Sequence, residues 1–152
     1  MALDKPFAPS EQHQICVLSD AAQGWSINLW RTVAESLFNN SSEGVCITDA
    51  DAKIIEVSQT LCRITGYSKT DLLGNTPQVF HSDLQDLAYY QRMWESLLET
   101  GHWSGELWNR KPNGNLYAIR LNIAAVCNES SQVTNYVGVM ADITAAKRRA
   151  SR

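Results

Sequence analysis

Apolar positions along the chain change their period several times, and each change marks an element. After Gly24, residues Ile27, Trp30, Val33, Ala34, Leu37 and Phe38 recur at steps of three and four, the stripe of an amphipathic helix over residues 27–38. Ser26 stands where a hydroxyl can accept from first-turn N–H groups that lack partners, and Asn39-Asn40-Ser41-Ser42 supplies turn formers at the far end. The period then shortens. Residues 44–48 and 53–57 are β-rich runs separated by Asp49-Ala50-Asp51-Ala52, which predicts a hairpin. Short helical pieces follow: 59–64 stopped by Gly66, 69–73 capped by Ser68 and stopped by Gly74, and one more turn opened by Pro77.

The longest helix in the middle of the chain begins at Asp83 or Asp86 and runs to about Thr100. Leu87, Tyr90, Met93, Trp94, Leu97 and Leu98 form its buried stripe, and Gly101 stops it. Three strands complete the pattern, at about 103–110, 116–126 and 133–143. The first turn between them carries Asn113-Gly114, a strong hairpin signal, and the second is Asn128-Glu129-Ser130-Ser131. Strands grouped at either end of a helical middle predict an α+β fold. Its five-stranded antiparallel sheet has short helices on one face. Such a sheet, partly wrapped, leaves a concavity suited to a ligand. The expected organisation is a flexible lead over 1–25, the amphipathic helix over 26–40, one domain over 41–144 and a helix-prone basic tail over 145–152. The patch Ile15 to Leu18 reads as either a helix turn or a strand.

Composition narrows the function. At 152 residues, with 44% hydrophobic and 19% charged residues, the chain has the balance of one globular domain. A net charge of −3 is too small and too mixed for nucleic-acid or membrane-surface binding. No apolar run approaches the ~20 residues that span a bilayer, and the N-terminus lacks a signal-peptide core. The expected location is cytoplasmic. Cys16, Cys46, Cys62 and Cys127 form no C-x-x-C pair and have no histidine at ligand spacing, so they read as reduced, mostly buried apolar residues. There is no Gly-rich phosphate loop and no nucleophile motif, and Asp49 and Asp51 read as turn formers. No catalytic residue and no metal site is expected.

Several segments taken in order resemble one family. Ile47-Thr48-Asp49, Ile54-Ile55-Glu56-Val57-Ser58, Ile64-Thr65-Gly66-Tyr67 and Leu72-Leu73-Gly74 resemble the first half of a PAS domain. The run from Trp103 to Lys111, Asn113-Gly114, Tyr136-Val137-Gly138-Val139 and Ala141-Asp142-Ile143-Thr144 resemble the second half. The resemblance covers about residues 30–147. It is to the sensory PAS domains of bacterial cyclic-di-GMP enzymes, histidine kinases and flavin-type redox sensors. It implies a sensory module that binds a small ligand or cofactor. The signal would then pass through dimer and linker helices to an output domain in a parent protein, of cyclic-di-GMP or kinase type. The alternative it leaves open is a protein-interaction or dimerisation module with a filled core.

The resemblance also frames the cofactors. In blue-light members of LOV type a flavin-reactive cysteine follows a Gly-x-Asn segment. Here that segment is Gly74-Asn75-Thr76, and Pro77 stands in the cysteine's place, so FMN photo-adduct chemistry is not expected. Haem members carry an axial histidine on the long helix, which has none here; His81 precedes it and His102 follows it. FAD is the better candidate. Trp103 before Ser-Gly, and Asn109 before Arg110-Lys111, resemble flavin-binding redox sensors such as nitrogen-fixation regulators and aerotaxis receptors. Asn109 would meet the ring's pyrimidine edge, and Trp103, Trp94 and Leu121 or Ile119 would form walls. Strand alternation places Leu107 and Gly105 on the face of Asn109, with Trp108 and Glu106 opposite. The same tryptophan and asparagine also suit plain packing and strand-end hydrogen bonding. The resemblance further implies a homodimer through residues 27–38, the alternative being that this stripe folds back on its own sheet.

Overall fold

The structure, a computed structural model, describes residues 26–151. Helix α1 (Ile27–Asn40) leads into strands β1 (Gly44–Asp49) and β2 (Ile54–Val57). Helices α2 (Gln59–Thr65) and α3 (Lys69–Leu72), a 3-10 turn at Pro77–Phe80 and helix α4 (Leu87–Thr100) follow. Strands β3 (His102–Arg110), β4 (Leu116–Cys127) and β5 (Val133–Asp142) come next, and α5 (Thr144–Ala150) ends the chain. The strands make one antiparallel sheet in the order β2-β1-β5-β4-β3. Helices flank it, as the sequence pattern predicts.

Local chemistry sets the boundaries. Of the two aspartates offered as the start of α4, Asp86 is the cap: its carboxylate accepts from the Tyr89 N–H at 2.9 Å. Gly101 ends the helix in the left-handed region at φ 77°. The β1–β2 turn is organised by Asp49, whose Oδ1 accepts from the N–H groups of Asp51 and Lys53. Gly44 lets α2 approach β1, because a Cβ there would lie 2.8 Å from the Leu61 Cα.

The core lies between the sheet's inner face and α2 to α4. Leu61, Leu72, Met93, Leu97 and Ile119 are each no more than 1% exposed. The two long helices differ sharply. Helix α4 buries Tyr90, Met93, Trp94, Leu97 and Leu98, whereas α1 buries none of its residues. Only Val33 and Phe38 of α1 are half-buried. Near its C-terminal end, Ala34, Leu37 and Phe38 line a groove with Val45, Val137 and Val139 of the outer sheet face.

One expectation changes here. Cys46 and Cys62 are free thiols, but Cys127 is disulfide-bonded rather than reduced. Spacing alone gives no sign of it, because a disulfide depends on approach in space and not on a C-x-x-C pattern. Cys16, the patch 15–18 and the lead over 1–25 lie outside the described residues.

Candidate functional site

Alternation along β3, β4 and β5 turns one set of side chains toward α4. Asn109 and Leu107 come from β3, Ile119, Leu121 and Ile123 from β4, and Tyr136, Gly138 and Met140 from β5. Helix α4 faces them with Tyr90, Met93, Trp94 and Leu97, and the 3-10 segment adds Pro77, Phe80 and His81. Between them lies an apolar cavity of about 70 Å³.

Asn109 is the polar centre of this wall. It is 2% exposed, and its Oδ1 accepts no hydrogen bond among the described residues. Its backbone bridges to His81, and its cross-strand neighbour is Tyr117. Burial raises the Tyr117 phenol above its ordinary pKa, an effect the adjacent Asn109 amide partly offsets. Trp94 is 3% exposed with an unpartnered indole Nε1, and its ring meets Tyr136 edge-on at 5.2 Å. Leu121 lines the cavity opposite.

Trp103 lies elsewhere. It shares the face of Asn109 but is not among the lining residues. Its ring folds along its own strand over Gly105, where a Cβ would lie 2.5 Å from the indole. Tyr89 packs against it edge-on at 5.9 Å. The Trp-Ser-Gly motif is thus a packing device in this structure: the glycine leaves room for the ring, and the ring joins α4 to β3.

His81 is the cavity residue that sequence reasoning passes over. Its ring stacks on Tyr90 with centroids 4.1 Å apart, its Nε2 has no hydrogen-bond partner, and burial lowers its pKa to about 4. A lone histidine after a turn carries no periodic signal, so nothing in the pattern points inward. Gln85 goes unnoticed for the same reason. Its Oε1 accepts from the Trp108 N–H at 2.6 Å, while its Nε2 donates to the Trp108 carbonyl at 2.9 Å and to the Tyr90 hydroxyl at 3.1 Å. One amide thereby fastens the edge of β3 to the start of α4.

The fit of a flavin is mixed. The donor set suits the ring's pyrimidine edge, since Asn109 offers an unsatisfied acceptor inside an apolar wall. The space does not suit it: 70 Å³ is far below the ~300–1,000 Å³ of usual cofactor pockets, so three fused rings do not enter with Tyr90, His81 and Trp94 as packed. A porphyrin is excluded in this packing on the same ground. Pro77, in the cavity lining, leaves no thiol for a photo-adduct at its own position; the thiol that does line the cavity, Cys46, comes from β1.

At the exit, Asp142, Ile143 and Thr144 are tied to β4. The Ile143 N–H donates to the Ala118 carbonyl at 2.9 Å, and the Ala118 N–H donates to Thr144 Oγ1 at 3.0 Å. Thr144 Oγ1 in turn donates to Asp142 Oδ1 at 2.5 Å. Ala118 adjoins Ile119, a cavity residue. Lys147 of α5 pairs with Glu106 of β3 at 2.5 Å. Among the described residues no group of His, Cys, Asp and Glu could hold a metal ion, and no helix is long and apolar enough to cross a membrane.

Comparison with known proteins agrees with this architecture. The chain is 33% identical over 109 residues to a nitrogen fixation regulatory protein of Klebsiella oxytoca, covering 72% of this chain and 22% of that protein. It is 29% identical over 93 residues to the aerotaxis receptor of Escherichia coli, covering 60% and 18%. The chain thus spans about a fifth of the length of the curated relatives it matches. Among solved structures, a PAS domain from Colwellia psychrerythraea superposes with TM-score 0.72 at 20% identity, covering 77% of this chain and 98% of that one. An RNA-binding light-oxygen-voltage receptor gives TM-score 0.75 at 17% identity, covering 89% and 38%. These two likenesses show the fold. The family model described as PAS domain matches residues 42–145, and the chain belongs to the PAS domain family.

Proposed function

We propose that this chain is a sensory module that acts by binding and relay rather than by catalysis. The observation that carries the reading is the unsatisfied Oδ1 of Asn109, buried in the wall of an apolar cavity. A buried acceptor without a donor is costly, and a ligand supplying the donor removes that cost. Occupancy would press on Ile119, which pairs with Asp142 and whose neighbour Ala118 holds Ile143 and Thr144, and so bias α5 toward an output domain of cyclic-di-GMP or kinase type in a longer protein. Such a relay needs a ligand with different affinities for two arrangements of the exit.

FAD is a second reading, favoured by Asn109 and by the likeness to a nitrogen fixation regulatory protein and an aerotaxis receptor. It requires the cavity to open at the His81–Tyr90 stack. The absorbance spectrum of the purified protein decides: flavin bands that vanish in Asn109→Leu support FAD, and a colourless protein that takes up no added FAD rules it out.

The apolar stripe of α1 serves a homodimer in this reading. Ile27 is 78% exposed and Leu37 68% exposed, apolar surface that a partner helix would remove from water. Sedimentation tests this. The expected result is a dimer that the pair Ile27→Glu and Leu37→Glu converts to monomer; a monomeric parent chain sinks the idea.

A further inference from the structure

Three side chains from three elements bring unpartnered polar atoms to the lining of one cavity: Asn109 of β3, Trp94 of α4, and His81 after the 3-10 turn. Their hydrogen-bonding senses differ. Asn109 Oδ1 can only accept and the Trp94 indole N–H can only donate. The His81 ring is held by its stacking on Tyr90. With its pKa lowered to about 4 it stays neutral at physiological pH, so Nε2 donates or accepts according to tautomer.

The rest of the lining is apolar or aromatic apart from the Thr48, Tyr90 and Tyr136 hydroxyls and the Cys46 thiol, and it contains no Lys, Arg, Asp or Glu. An ion placed there would lose its hydration without gaining a counter-charge. Size adds a second limit. The volume of 70 Å³ is about half that of the ~150 Å³ engineered cavity known to take benzene.

We propose that this cavity selects a neutral molecule of about five heavy atoms that carries both a donor and an acceptor, a small azole or primary amide, read by Asn109, Trp94 and His81. The inference rests on the cavity being the ligand site and adds the ligand's charge, size and hydrogen-bonding pattern.

Three probes test it on the full chain by amide and indole N–H NMR: pyrazole as the neutral donor–acceptor, acetate as an anion of similar size, and xenon as an apolar atom. Pyrazole is expected to shift the Trp94 indole N–H saturably, and acetate to leave it in place. Trp94→Phe and Asn109→Leu should each weaken pyrazole about tenfold, one hydrogen bond's worth, while xenon still enters. Two variants are used so that one that fails to fold leaves the other informative.

If xenon enters but pyrazole does not bind, or binds both variants as tightly as the parent, the inference falls and the cavity reading stands. Acetate binding as well as pyrazole overturns the charge selection. Long-lived waters on the Trp94 N–H that pyrazole fails to displace assign the polar atoms to hydration and overturn it too. Bound flavin in the purified protein overturns the size limit. If neither xenon nor pyrazole moves any cavity resonance, the inference and the ligand-site reading fall together.

Discussion

Helices α1 and α4 are both 14 residues long, both carry an apolar stripe at helical spacing, and both begin at a side-chain cap, Ser26 in one and Asp86 in the other. Yet α4 buries five residues and α1 none. The difference lies in what each helix is tied to. Helix α4 is pinned along β3: Tyr89 donates to the Glu106 carbonyl at 2.6 Å, Ser96 to the His102 carbonyl at 2.6 Å, and Gln85 grips Trp108 from both sides. Helix α1 precedes β1 through a short link, and its residues Ala34, Leu37 and Phe38 line a groove on the outer sheet face. Amphipathicity states that a helix has a side to bury; the tethers decide where.

The comparison can be broken most forcefully by truncating equivalent leucines. Leu97→Ala in α4 is expected to cost ~2–5 kcal/mol of unfolding free energy, while Leu37→Ala in α1 should stay within ~0.5 kcal/mol in the monomer. Denaturant melts at low protein concentration measure both, and equal costs would mean that α1 is seated like α4.

Acid acts on the α4 side next. The pKa of His81, about 4 in the folded protein, lies below the ~6.5 of an unfolded histidine, so the unfolded chain takes up this proton first as pH falls. The stability due to the neutral ring is complete above pH 6.5, declines below it and is lost once pH passes 4. His81→Phe, which keeps a ring on Tyr90 but cannot titrate, should remove roughly 1–3 kcal/mol of acid sensitivity over this window. Melts at stepped pH check this, and an unchanged slope counts against it.

Caps give the finest contrast. Asp86→Ala should lower the stability of the whole domain by ~1 kcal/mol. Ser26→Ala should fray α1, visible in circular dichroism, and leave the main unfolding midpoint in place.

Much of this fold is legible before any coordinates. The stripes of α1 and α4, the Asn113-Gly114 hairpin and the glycine stops at 66 and 101 are local signals, and local signals survive folding. Asn109 is singled out by the resemblance and Trp94 lies on the apolar stripe of its helix; strand alternation groups Asn109 with Leu107, and that face lines the cavity. What escapes is contact between distant segments. Trp103 has the parity of a wall residue, but its ring lies along its own strand because Gly105 leaves room. His81 and Gln85 belong to a loop without a period, so their meeting with Tyr90 and Trp108 follows from the three-dimensional path alone.

The clasp on β3 has one more consequence. The outward carbonyls of His102, Glu106 and Trp108 are occupied by side chains of α4 and its approach. At the opposite margin, the Ile54 N–H and carbonyl are taken by Asn75 and Gly74. Both rims of the sheet are sealed at these positions by groups other than strands. An open rim is a template on which another polypeptide can add as an extra strand, the first step of many aggregates. At β3 that step is resisted without charges or prolines, by hydroxyls and an amide whose release would require moving α4 itself, so resistance to clumping at this rim and the integrity of the cavity are bound to the same few atoms.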